Sequence, residues 1–207
     1  MPPGVWLAPG PLRASSQLHL EAWLSGLVQS VGLVAIGTVE IDGDIVDPFA
    51  IAAGLGARPG LPALGVSATL DGRRLPTVIG RELIALDHVS GGRTGLVLDG
   101  ATPTLDESGR ILEAMLGGAE VVGRASSAMP ADFAFRNRPG PATRGGPMVV
   151  LVDPVTGART LAGEQVSVVA LADDQLLDGQ MPAPGHQGRV LAVRHAASGA
   201  DPALLHL

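Results

Sequence analysis

The five histidines (His19, His88, His186, His195 and His206) are dispersed, with no His-x-x-x-His pair and no carboxylate at metal-ligand spacing. They read as separate surface or capping residues rather than as a metal centre. No cysteine is present, which removes disulfides, thiolate metal sites and cysteine nucleophiles together. No serine stands in a Gly-x-Ser-x-Gly elbow, so serine hydrolase chemistry of that type has no support. Gly54-Leu55-Gly56-Ala57-Arg58-Pro59-Gly60 imitates a dinucleotide loop, but it follows a helical pattern and Pro59 blocks a following helix. It reads as a helix end and turn. Arg136 and Arg138 beside Phe133 and Phe135 are able to meet an anion, and equally read as a basic surface loop.

Composition narrows the classes further. The 207 residues carry a net charge of −6, which leaves no electrostatic footprint for nucleic acid or an anionic membrane. With two tryptophans, three phenylalanines and no tyrosine there is no base-stacking platform. Hydrophobic residues make up 46%, yet no run approaches membrane-spanning length, so no transmembrane helix is expected. Met1 to Gly10 lacks the basic and apolar regions of a secretory signal. Together with the absent cysteines this sets the expectation of a cytoplasmic protein, and the alanine- and arginine-rich, lysine-poor composition suggests a GC-rich bacterial genome.

The elements that must position any site alternate between strand and helix patterns. Val5–Ala8 reads as a buried strand closed by Pro9-Gly10-Pro11. Leu20, Trp23, Leu24, Leu27 and Val31 form a helical stripe, and Leu33–Val39 returns to a strand. Asp47-Pro48 starts a helix that ends near Leu55, because aspartate caps free N–H groups and proline suits the first turn. Ala63–Thr69 is a third strand, Thr77–Val89 a helix, and Arg93–Leu98 a fourth strand. Thr104 and Glu107 fit a capping box for a helix that stops at Gly117-Gly118. This order is that of βα units around a parallel sheet. Ala125–Pro147 reads as an irregular excursion and Met148–Val152 as a fifth strand. Val166–Leu171 and Val190–Val193 read as strands of a small antiparallel extension, with at best a turn of helix in Asp173–Gly188.

The segment Arg81-Glu-Leu-Ile-Ala-Leu-Asp-His-Val-Ser-Gly-Gly-Arg-Thr-Gly95 resembles the helix–turn–strand block of the bacterial luciferase-like monooxygenase superfamily. The tryptophan-containing first strand, Asp47-Pro48-Phe49, Gly65-Val66-Ser67 and Arg138-Pro139-Gly140-Pro141 follow in the family's order, so the match runs from about Val5 to Val152. The resemblance implies a TIM-type barrel, FMN or the deazaflavin F420 as cofactor, and redox chemistry on a small organic substrate. In such a barrel, helix-to-strand turns lie on the face away from the active site. Asp87, His88 and Arg93 are therefore expected to hold the fold together.

Functional residues of a βα barrel lie just after its strands. The resemblance then points to Thr38, Ser67, Ala68, Thr69 and Asp99 as contacts for a flavin, and to Glu40, with Asp42 nearby, as the group that orients substrate or exchanges a proton. A solvated acidic loop is the competing reading of Glu40, and an ordinary strand end that of Thr69. A complete barrel uses about 250 residues in eight units, whereas only 55 residues follow Val152. The expected fold is thus an incomplete or modified TIM-type (β/α) barrel, mostly parallel, with residues 1–152 as barrel and 153–207 as an irregular extension over the sheet. The flavin phosphate is normally held late in the barrel, so that site is expected to be missing or rebuilt. Unpaired strand edges predict a covering tail or a homodimer. A degenerate, non-catalytic binding or structural subunit is the alternative function, and a doubly wound sheet with another small ligand a third.

Overall fold

The computed structural model describes residues 5–7, 12–14, 16–27, 33–70, 74–136, 139–144, 146–153, 157–163, 165–166 and 169–170. The expectations for Asp173–Gly188, Val190–Val193, Arg138 and the three C-terminal histidines lie outside these residues.

Five strands succeed one another in parallel: β1 (Val5–Leu7), β3 (Leu33–Ile36), β6 (Ala63–Thr69), β7 (Gly95–Asp99) and β10 (Met148–Asp153). The helices α1 (Gln17–Leu27), α2 (Pro48–Gly56), α3 (Pro76–Val89) and α4 (Thr102–Leu116) alternate with them. The βα pattern is therefore real, and the fold is α/β with a mostly parallel central sheet. After β10 the pattern changes. β11 (Gly157–Thr160) and β12 (Gln165–Val166) add antiparallel strands at one edge, while β13 (Val169–Ala170) pairs parallel with β1 at the other.

That pairing has a geometric consequence. Laid flat, eight strands span roughly 34 Å between their outer members. Val166 sits in one outer strand and Val169 in the other, and three residues of chain reach at most about 11 Å. The sheet must curl until its two edges nearly meet.

The two faces of the curled sheet differ accordingly. Val34, Ile36, Leu64, Val66, Leu96 and Leu98 face the helices, meeting residues such as Leu20, Leu55, Leu83 and Leu112 in the main core. Leu33, Ala35, Val97, Val150 and Ala158 form a second cluster built from strands alone, which is the enclosed face. Its lower layer is tight. A methyl group at Gly65 would lie 2.5 Å from the Gly95 carbonyl oxygen, and one at Gly95 would lie 2.6 Å from Leu33 Cδ2 and 2.9 Å from the Met148 carbonyl oxygen. Leu33 thus reaches across β6 to Gly95 of β7, where a side chain would collide with it.

Several local expectations are corrected. The strand foreseen over Leu33–Val39 stops at Ile36, and β4 (Val39–Ile41) joins a separate sheet with β2 (Leu12–Ala14) and β5 (Asp44–Val46). Asp42 and Gly43 make its turn, with φ of 51° and 86°. Two consecutive positive φ values are what a tight two-residue hairpin requires. α4 begins at Thr102, so Thr104 and Glu107 lie inside it and form no capping box; Pro103, in the first turn, presets the helical φ. The stretch after α4 is not wholly irregular: β8 (Glu120–Gly123) and β9 (Phe133–Arg136) form an antiparallel hairpin packed on Ile111 and Met115. Asp47 does cap α2, accepting from the Phe49 N–H at 2.9 Å.

The segment Arg81–Gly95 occupies the lower end. Asp87 is fully buried and accepts from the Thr143 backbone N–H at 2.8 Å and from Thr143 Oγ1 at 2.6 Å. His88 Nε2 lies 2.8 Å from the Gly140 carbonyl oxygen. The Arg93 guanidinium donates to the carbonyls of Arg58 (3.4 Å) and Leu61, and Thr94 Oγ1 to that of Leu64 (2.8 Å). These bonds tie two loops to the helix-to-strand turn. Asp87→Ala strands a backbone donor and loses two bonds to a carboxylate, and is expected to cost about 3 kcal/mol in urea unfolding. Gly95→Ala is expected to cost about 1–3 kcal/mol in the same measurement, since two of its neighbours are backbone or tightly packed.

Candidate functional site

The opposite end of the sheet, where the parallel strands finish, is built differently. On the enclosed face Ser67 pairs laterally with Val97, and Thr69 with Asp99. Thr69 Oγ1 donates to Asp99 Oδ1 at 2.8 Å. The β3–β6 ladder stops at Ile36–Val66, while β6–β7 continues to Thr69–Asp99. The rim is therefore stepped: Ser67 to Thr69 have a ladder partner on the β7 side only, among the described residues. Below the rim the wall is small or apolar, with Ala35, Val97 and Val150.

Three of the residues singled out by sequence are thus brought together. Ser67 and Asp99 are half-buried and Thr69 is exposed, all on the enclosed face. Ala68 is turned the other way and packs against the helix-side core. Thr38 is exposed in the link between β3 and β4, beyond the end of the ladder. Glu40 lies on β4 opposite Ile45 of β5. The reverse face of that small sheet carries Val39, Ile41 and Val46, which pack on the core. Glu40 and the 77%-exposed Ile45 therefore share the outward face, and Glu40 belongs to a hairpin rather than to the sheet rim.

Two polar groups near this end escaped the sequence reading. Asp153 closes β10, is buried, and accepts from Thr102 Oγ1 at the start of α4. Arg74, in the segment leaving β6, pairs with Asp47 and, at 3.5 Å, with Glu82, and lies 5.3 Å from the Phe49 ring centre. One arginine thus bridges the start of α2 and the middle of α3. No local signal could have found these groups, because their partners are 8 to 51 residues away in sequence. Burial raises the Glu82 pKa above its ordinary value; Arg74 opposes the shift and Asp47 adds to it.

Further hollows lie on the helix side. Spaces of about 610 and 340 Å³ flank α4 and the outer face of β10–β11, lined by Gly109, Glu113, Leu116 and Leu161 among others. They arise where β10 is followed by an antiparallel strand instead of a helix. Neither lining includes Thr69 or Asp99. Among the described residues no group of His, Asp or Glu is disposed to hold a metal ion, and no helix is long and apolar enough to cross a membrane.

No protein-family model matches the chain, and no curated protein does. Solved structures do. The monooxygenase RslO1 from Streptomyces bottropensis is similar over 70% of this chain and 54% of its own, with 15% identity and a TM-score of 0.50. The riboflavin lyase RcaE, solved with a modified FMN and its substrate riboflavin, is similar over 74% of this chain and 50% of its own, with 13% identity and a TM-score of 0.53. This chain shares its fold with both. It spans about half the length of each.

The Arg74 cluster makes a pH prediction. With the folded pKa of Glu82 raised, the folded protein keeps a proton that the unfolded chain has released. Stability should therefore fall as pH rises from the ordinary glutamate value through the raised one, and stay level above. Glu82→Gln is expected to flatten that slope in melting curves taken from about pH 4 to pH 7, whereas an unchanged slope would assign it to another group.

Proposed function

We propose that the chain is a luciferase-like flavin oxidoreductase or monooxygenase, built on an incomplete TIM-type barrel, with FMN or F420 as cofactor and a small organic molecule as substrate. The observation that carries this reading is the stepped rim of Ser67, Thr69 and Asp99 above a small, apolar wall. It stands on a fold shared with a monooxygenase and with a lyase solved with a modified FMN. A flat ring suits such a recess: the apolar wall takes its face and the polar rim its edge.

A flavin, when bound, supplies two-electron redox chemistry. Ser67, Thr69 and Asp99 bind and orient the ring edge in this reading. Thr38 borders the open side of the step, and the backbone at Ala68 contributes where β6 has no β3 partner. Glu40, on the β4–β5 hairpin, is the group proposed to exchange a proton with substrate. The chain divides in the same reading into residues 1–152, the barrel portion, and 153–207, an extension that closes the sheet. β12 and β13 support that division, since they occupy its two edges. A homodimer is the proposed assembly, covering what the short edge strands leave open.

One observation favours a second reading, a binding or structural protein without catalysis. Beyond β10 the chain continues into antiparallel β11 and β12, where a regular barrel would supply its phosphate-holding units. Titration with FMN and with F420, followed by visible absorbance, separates the two. Micromolar binding of either is expected for the oxidoreductase. A colourless protein that binds neither would leave only the second reading.

A further inference from the structure

The Thr69–Asp99 pair has a polarity that the fold alone does not require. A threonine hydroxyl has one proton to give and lone pairs to accept with, whereas a carboxylate only accepts. At 2.8 Å the Thr69 proton is directed to Asp99 Oδ1, so what Thr69 Oγ1 has left to offer is acceptor capacity. Thr69 is exposed at the rim, on the enclosed face above Val97, and has no β3 partner beside it. A group seated against it therefore meets oxygen lone pairs and a carboxylate.

We infer that this pair takes a ring N–H donor and disfavours a bare ring nitrogen or an anionic edge. The inference rests on the proposed flavin site and deepens it. An isoalloxazine offers two sources of such a donor. One is the imide N–H, present in both redox states; the other is the extra ring N–H that the reduced, neutral form carries and the oxidised form lacks. Asp99 acts as a positioning residue: it consumes the Thr69 proton and so fixes which way the hydroxyl can bond. A ring acceptor seated against this rim leaves two acceptors facing one another, which is the unfavourable arrangement.

The test uses the full chain with three probes: oxidised FMN, FMN reduced anaerobically with dithionite, and 3-methyl-FMN, which has no imide proton. The wild type is expected to favour either reduced over oxidised FMN or FMN over its 3-methyl form, by roughly tenfold for one hydrogen bond. The first outcome assigns the reduced-ring donor and the second the imide. Thr69→Val should abolish that preference and Thr69→Ser retain it. Asp99→Asn, whose amide can donate to Thr69 and release the hydroxyl proton toward the ring, should weaken or reverse it. A preference that survives Thr69→Val, or the absence of any preference in the wild type, overturns the inference while leaving flavin binding intact. A wild type that binds FMN in neither redox state overturns both the FMN reading and the inference.

Discussion

The close approach of β3, β6 and β7 on the enclosed face is the constraint on which the rest of this structure depends. Leu33 reaches from β3 to Gly95, and a methyl group at Gly65 or Gly95 would collide with neighbouring backbone. Where strands come this near on one face, the sheet bends toward that face. The bend in turn lets Gln165–Val166 and Val169–Ala170, close in sequence, occupy opposite edges. Without it the same strands would form an open, flat sheet.

The two ends of the curled sheet are braced in different ways. At the lower end Asp87, Ser90, Arg93 and Thr94 bond to backbone groups of the surrounding loops. Buried polar groups that are satisfied in this way favour one arrangement of the chain. At the upper end the polar side chains bond to one another, as Thr69 does to Asp99 and Thr102 to Asp153. Arg74 ties the start of α2 to the middle of α3 through Asp47 and Glu82. The rim groups are braced by neighbours, and Thr69 is still reached by solvent.

Local signals were legible where the cause was local. Asp47 followed by proline announced α2, and the aspartate makes the capping bond. The β-branched and apolar run of Ala63–Thr69 is a strand with those bounds. The Thr104–Glu107 pattern misled because it competed with Pro103, which starts the helix a turn earlier. Leu33–Val39 looked continuous because apolar alternation does not register a change of partner: Val39 is as buried as Val34, but in a different sheet. The β8–β9 hairpin was hidden in a stretch rich in turn residues, and only its packing on α4 gives Val121 and Phe133 a reason to be extended.

The sequence by itself determined the βα order, the helix-to-strand turn around Ser90-Gly91-Gly92, and which strand ends carry Ser67, Thr69 and Asp99. These depend on period, capping and backbone freedom, which act within a few residues. Tertiary structure alone decided that Thr69 and Asp99, 30 residues apart, share a hydrogen bond, that Ala68 turns away from them, and that Glu40 rides on a hairpin. It also decided that a chain with five successive parallel strands still brings its sheet edges together. Register, curvature and facing are set by contacts between distant segments, and a change of one residue in register would move every side chain to the other face.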